Sequence, residues 1–260
     1  MIDKTLNKNR IKQRFNRSAG SYDEHAHVQR RVVQRLRELL SGYLSGEAFN
    51  VLEAGCGTGL LTRELKRWPA VKELWVNDLS EELCTRTADM LDIPASHVVP
   101  GDIETVELPA GLDLIASSSV FQWLSAPGET IARLVSRLVP GGWLVFSTFG
   151  IHNLQEIREL TGEGLDYPDR STMRRLLEAG TEILHAEEEE IRLRFSDPVD
   201  VLKHLKRTGV NNSESNKLRT PSALRRFAEA YRFRYADHDG SCCLTYHPVY
   251  YICRKPACFS

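Results

Sequence analysis

An α/β fold on a mostly parallel sheet is the class this sequence predicts, and three observations carry it. From Phe49 onward, short β-branched or apolar runs alternate with helical periodicities of crossover length. A glycine-rich turn, Gly55-Cys56-Gly57-Thr58-Gly59, stands where the first such run meets the first such helix. The chain has 260 residues, 42% of them hydrophobic and 27% charged, which is enough apolar material for a large core and argues against disorder.

Taken in order, Ile11 to Leu44 reads as helical. Phe15, Ala19 and Tyr22 recur at helical spacing, and Val32, Val33, Leu36, Leu39 and Leu40 form one stripe. FNVLEA is a first strand, TGLLTRELKRW a helix, and VKELWVND a second strand ending on acid. Ser80 is placed as the N-cap of the next helix, with Glu81 and Glu82 in its first turn. HVVPGD is short and extended, LDLIASSSV a buried strand, PGETIARLVSRLV a helix, and PGGWLVFSTF a Gly-Gly turn entering a long strand. Beyond Phe149 the pattern loosens. HNLQEIREL, STMRRLLEAG, DPVDVLKHLKRTG and TPSALRRFAEAYRF read as helices, and EEEEIRLRF as a strand with alternating Ile191, Leu193 and Phe195. CCLTYHPVYYICRK reads as one strand interrupted or edged at Pro248. The expected organisation is a helical cover over 1–45, a ligand-binding core over 46–150, and lid helices with closing strands over 151–260, all within one domain.

The formal net charge of −1 points to neither a nucleic-acid binder nor a membrane-surface protein, and no apolar run reaches spanning length. The basic N-terminus lacks an apolar stretch behind it, so no secretion signal is expected. The six cysteines show no C-x-x-C spacing, which predicts no metal site and suits reduced thiols in a cytoplasmic protein.

The glycine turn narrows the ligand. A dinucleotide loop needs G-x-G-x-x-G, whereas the spacing here is E-x-G-x-G-x-G from Glu53, with Leu60 where the third dinucleotide glycine would stand. A glutamate beside the turn also repels pyrophosphate, and no G-K-[ST] follows for a Walker loop. Both facts favour a cationic or zwitterionic ligand.

Glu53, Gly55, Cys56, Gly57 and Gly59 resemble the first motif of the class I S-adenosylmethionine-dependent methyltransferases. The resemblance implies a seven-stranded Rossmann-like sheet, mostly parallel with an antiparallel last strand, N-terminal helices and a helical insertion as a lid. It also implies S-adenosyl-L-methionine as cofactor. Asp78, followed by Leu79, falls where that family binds the ribose hydroxyls; Asp102 and Ile103 fall at the adenine; Ser117 and Ser118 beside the methionine end, with Trp123 nearby.

Motifs outside this core are similar to those of the malonyl-[acyl-carrier protein] O-methyltransferases of biotin synthesis. The pattern F-x-x-x-A-x-x-Y-D-x-x-A-x-x-Q is met by Phe15, Ala19, Tyr22, Asp23, Ala26 and Gln29. SSSVFQWL, FGIHNLQEIREL, HLKRTGVN and LTYHPVYYI extend the likeness from end to end. His152 and the acidic run Glu187 to Glu190 depart from it. The implied activity is methylation of a malonyl carboxylate, carried by acyl-carrier protein or coenzyme A, as the first step toward a pimeloyl chain. Another small acid or a quinone ring carbon as acceptor, or a non-catalytic cofactor-binding protein, are the alternatives.

A malonyl carboxylate is already ionised at neutral pH and needs no general base. It does need a cation, for which Arg207 in HLKRTG comes first and Arg158 in NLQEIREL second. Tyr22 and His25, three apart on one helix, are placed at the cofactor's methionine end. Nine basic residues between Leu202 and Arg234, against Glu214 and Glu229, form a patch suited to an acidic carrier protein. Aromatics are not interleaved with them as a nucleic-acid platform requires. A monomer is expected.

Overall fold

The computed structural model describes residues 6–44, 49–209 and 220–257, with the backbone alone at Ser21 and Asp23. The cysteine at 258, and Glu214, Lys217 and Arg219 of the basic segment, lie outside these residues.

The N-terminal apolar stripes fold as α1 (Lys8–His25) and α2 (His27–Tyr43), with Asn7 capping α1 through a side-chain bond from the Arg10 amide. β1 (Phe49–Ala54), α3 (Leu60–Arg67), β2 (Val71–Asp78), α4 (Glu81–Met90), β3 (Val98–Pro100), β4 (Leu112–Ser118), α5 (Pro127–Arg137) and β5 (Leu138–Phe149) then alternate as the periodicity requires. Ser80 caps α4 by accepting from the Leu83 amide, as its sequence context predicts. Next come α6 (Gln155–Thr161), α7 (Arg170–Glu178), β6 (Glu182–Glu188), β7 (Ile191–Phe195), α8 (Pro198–Arg207), α9 (Pro221–Tyr235), β8 (Cys242–Tyr246) and β9 (Pro248–Arg254).

Seven strands form one sheet in the order β3-β2-β1-β4-β5-β9-β6, with β9 antiparallel to both neighbours and the other described pairings parallel. Strand order reverses between β1 and β4, so the crevice above their carboxyl ends is where such a sheet binds ligands. β7 and β8 pair separately as a small antiparallel sheet.

Three readings change. EEEEIRLRF is not one strand: the chain leaves the large sheet after Glu188 and enters the small one at Ile191. CCLTYHPVYYICRK splits likewise at His247, and Pro248 opens an interior strand, where its missing N–H is tolerated at the first position. Gly141 and Gly142 sit inside β5, where the register against β4 slips between Leu112 and Leu114.

The acidic run has a structural use. Glu187 takes two bonds from Arg35 of α2, at 2.6 and 2.8 Å, and Glu189 takes Arg31 at 2.6 Å and the Tyr250 hydroxyl at 2.9 Å. Arg35 foremost, against some loss of hydration, holds the Glu187 carboxyl below its ordinary range.

α2 and α3 cover one sheet face, and their apolar cluster runs on through Val201, Leu205, Phe227, Tyr231, Leu244 and Tyr246 of the cap. α5 and α7 cover the other face with Ile131, Leu134, Met173 and Leu177. The cap of α6, α8, α9, β7 and β8 is clasped together by buried side chains where it joins the sheet. Glu156 accepts from the Thr245 amide at 3.1 Å and its hydroxyl at 2.5 Å, and Asn153 accepts from the His247 amide at 3.2 Å. The segments NLQE and TYH thus hold one another. No helix among the described residues is long and apolar enough to cross a membrane.

Candidate active site

At the strand reversal lies a cleft of about 1060 Å³, open mouth included, between the carboxyl ends of β1, β2 and β4 and the inner face of α1. Its floor is the glycine turn. The Gly55 and Cys56 amides both donate to the Asn77 carbonyl, at 2.9 and 2.8 Å, which bends the chain away from β1. Gly55 has φ of 78°, and a Cβ there would lie 2.2 Å from the Val120 Cγ2. Here glycine is required both by the backbone and by the neighbour.

Three carboxylates line the cleft. Glu53, at the end of β1, is 1% exposed, and its Oε2 has no hydrogen-bond partner. Burial, opposed by hydrogen bonding from Thr62 and helped by the neighbouring Asp78 charge, pushes this carboxyl up to about 8. Asp78 accepts the Gly57 amide at 2.9 Å on one oxygen and the Ser80 amide at 2.7 Å on the other, so it fixes the turn to the start of α4. Burial raises its pKa despite those two bonds. Asp102 accepts the Glu104 amide at 3.1 Å and lies 3.4 Å from the Lys8 ammonium, which also pairs with Glu104.

The predicted residues Tyr22, Glu53, Gly55, Cys56, Gly57, Asp78, Leu79, Asp102, Ile103, Ser118 and Trp123 all line this cleft. Trp123 packs edge-on to Phe15 at 5.7 Å, with its indole Nε1 buried and unpartnered. Other predicted residues stand elsewhere. Gly59 begins α3 with φ of 86° and faces Thr87 and Met90 of α4. Ser117 is fully buried, its hydroxyl donating to the Ala54 carbonyl at 2.7 Å; alternation along β4 aims Ser118, not Ser117, at the cleft. His25 is half-buried in the last turn of α1, in electrostatic reach of His204, and outside the lining. Arg207 is exposed on α8, whose inner face is Val201 and Leu205. Arg158 sits outside the cleft, stacked on Tyr167.

Residues 22–186 match a family model described as a methyltransferase domain. A malonyl-[acyl-carrier protein] O-methyltransferase of Bacteroides fragilis is 40% identical over 94% of this chain, which spans 50% of that protein. One of Bacteroides thetaiotaomicron is 38% identical over 96% of this chain and 99% of its own length. The chain belongs to the malonyl-[acyl-carrier protein] O-methyltransferase family. A structural likeness outside the family, at 14% identity, supports the fold: the Haemonchus contortus phosphoethanolamine N-methyltransferase 2, solved with phosphomonomethylethanolamine and S-adenosylhomocysteine. It matches with a TM-score of 0.53 over 86% of this chain and 52% of that one.

In this member of the malonyl-[acyl-carrier protein] O-methyltransferase family, several cleft residues escape a reading of the sequence. Lys8 and Lys12, one turn apart on α1, stand over Asp102 and Asp78, and the Lys12 charge works to lower the Asp78 pKa. Asn77 lines the floor while its amide donates to the Val99 and Gly101 carbonyls at 2.7 and 3.0 Å. Ser119, with φ of 60°, carries a buried hydroxyl without a partner. Their signals were faint: two lysines at helical spacing, and a serine run whose phase on β4 only the structure decides.

Proposed function

We propose that this chain transfers the methyl group of S-adenosyl-L-methionine to the free carboxylate of a malonyl thioester, on acyl-carrier protein or coenzyme A. The methyl ester so formed would prime pimeloyl synthesis for biotin. The observation that carries this reading is the buried carboxyl of Glu53, one oxygen of which has no partner, beside bare glycine backbone, which calls for an organic cation rather than a phosphate. The residues present fit the cofactor. Glu53 faces its cationic portion across Gly55, Cys56 and Gly57. Each Asp78 oxygen already accepts one amide and keeps a lone pair for a ribose hydroxyl. Asp102, with Ile103 and Leu79, suits the adenine and its amine. Ser118, Trp123 and Tyr22 complete the enclosure.

Bound there, S-adenosylmethionine supplies an electrophilic methyl group on a sulfonium. The acceptor carboxylate is ionised near neutral pH, so the chain holds no proton for this chemistry. Its contribution is alignment and the exclusion of water by the apolar walls of Ile11, Phe15, Trp123 and Leu124. The protein is read as a cytoplasmic monomer that engages neither nucleic acid nor membrane.

Incubation with methyl-labelled cofactor and either malonyl- or acetyl-carrier protein tests this. Base-labile label on the malonyl form alone is expected; cofactor binding with transfer to neither would overturn it.

For the carrier, the patch is smaller than its sequence suggests. Lys203 pairs with Asp200 at 2.8 Å and Arg232 with Asp197 at 2.5 Å. Arg225 and Arg226 remain exposed on α9, with Phe233, 91% exposed, two turns beyond Arg226. An acidic helical carrier suits this basic face with an apolar knob. Reversing both arginines to glutamate should raise KM for malonyl-carrier protein about tenfold at low salt and leave malonyl-CoA unaffected. Equal kinetics with the carrier protein would remove the docking face.

A further inference from the structure

Arg207, the first candidate for the acceptor's carboxylate, is exposed on α8 and outside the cleft lining, and Lys8 is already paired with two acids. We propose that Arg158 is the anchor for that carboxylate, and that Tyr167 and Asn153 are positioning residues that hold its guanidinium ready. This rests on the reading above and adds the residue that sets acceptor specificity.

Arg158 lies in the last turn of α6, half-buried. Its Nη2 donates to the Ile151 carbonyl, and its Cζ stands 5.3 Å from the centre of the Tyr167 ring. Its Nε is buried with no hydrogen-bond partner. Among the described residues, no carboxylate is within ion-pair distance of it; the ion pairs of the cap all involve other cations. A guanidinium that is partly desolvated, with a buried donor unmet, costs free energy until an anion arrives. The planar edge that includes Nε is also the one a carboxylate engages by two parallel bonds.

The surroundings are built to keep that side chain in place. A Cβ on Gly164 would lie 2.4 Å from the Arg158 Cγ and 2.7 Å from its Cδ, so the loop can close on the arginine stem only with glycine there. Asn153 is fully buried; its amide donates to the Tyr167 hydroxyl at 2.7 Å, and its carbonyl oxygen accepts from the His247 amide. The step from β8 to β9 therefore fixes Asn153, Asn153 fixes Tyr167, and the Tyr167 ring fixes Arg158. The assembly adjoins the cleft. Leu165 clusters with Ile11 and Trp123 of the cleft wall, and Tyr167 packs against that cluster. Tyr246 is in electrostatic reach of both Tyr167 and the cleft residue Tyr22. Ile151 follows the end of β5, the strand beside β4.

The test measures binding of malonyl-CoA and acetyl-CoA to protein loaded with S-adenosylhomocysteine, beside methyl transfer to malonyl-CoA. The wild type should prefer the malonyl thioester, and Arg158→Met should lose that preference by about 10- to 100-fold while S-adenosylhomocysteine binds within about twofold of normal. Arg158→Lys should retain part of the preference, lacking the planar fork. Tyr167→Phe, which keeps the ring and loses the bond from Asn153, should raise KM for malonyl-CoA several-fold with kcat nearly unchanged. Added methylguanidinium should recover part of the transfer by Arg158→Ala. If Arg158→Met fails to fold, as a melting curve would reveal, Arg158→Lys and Tyr167→Phe carry the test. A full malonyl preference in the folded variants overturns the anchor, and wild-type methyl transfer to malonyl-CoA then leaves the enzymatic reading standing. If the wild type neither prefers nor methylates malonyl-CoA, the same comparison is made with malonyl- and acetyl-carrier protein, and failure there as well overturns both.

Discussion

Gly55→Ala should abolish cofactor binding and leave the protein folded. At φ of 78° an L-side chain is strained by roughly 1–2 kcal/mol. The larger obstacle is the Cβ placed 2.2 Å from the Val120 Cγ2. Val120 is β-branched and stiff about χ1, and it lines the same cleft, so the side chain or the turn must move into the ligand's space. The Gly55 and Cys56 amides that bond to the Asn77 carbonyl would shift together. Gly57 is the control, because at φ of 52° a methyl group on its Cα would meet nothing within 4 Å and adds only the backbone strain. Calorimetric titration with S-adenosylhomocysteine should show no binding to Gly55→Ala and a reduced affinity for Gly57→Ala, with similar melting temperatures. Near-normal binding by Gly55→Ala would mean that the ligand does not lie across this turn.

Cofactor affinity should also fall about tenfold for each pH unit below about 8, and level off above it. Glu53 is the cause. Burial foremost, with the Asp78 charge adding, keeps its carboxyl protonated at neutral pH in the ligand-free protein. A cationic ligand is bound by the carboxylate, so at pH 6 to 7 close to one proton should leave for each cofactor taken up. The sign for stability is the reverse of that for a paired acid. Between the ordinary range near 4.5 and about 8, the folded chain holds a proton that the unfolded chain has lost. The free protein therefore loses stability as pH rises through this window, and the bound cofactor offsets the loss. Glu53→Gln should bind weakly at pH 8.5 and with little pH dependence. Titrations in two buffers of different ionisation enthalpy measure the proton directly, and a flat wild-type affinity between pH 6 and 9 would refute the role.

Most of the sheet and the floor of the cleft were legible because their causes are local. Strand, turn and helix follow one another within Phe49–Arg67, and the conformation that needs glycine is written in consecutive residues. Asp78 and Asp102 were legible for the same reason, each ending a short extended run. The misread parts depend on partners distant in sequence. Ser117, Ser118 and Ser119 are chemically alike, and only pairing of β4 with β1 and β5 decides which of them line the cleft. The glutamate run looked like one strand because its partners, Arg31 and Arg35, lie more than 150 residues away. Arg207 ranks ahead of Arg158 in the sequence because helical periodicity does not show the loop of Gly164 and Tyr167 that closes on Arg158 from beyond its own helix. Lys8 and Lys12 read as an ordinary wet helix until α1 was laid across two acids.

The roof is sewn into the floor. The polypeptide passes from the large sheet to the small one between Glu188 and Ile191, and returns between Tyr246 and Pro248 through a single histidine. Such short stitches leave no slack for that half of the enclosure to swing as a rigid door. The opposite wall is held differently: there α1 rests on the ammonium of Lys8, which pairs with Asp102 and Glu104. Any group that binds Asp102 must therefore compete with an ammonium that the chain itself supplies.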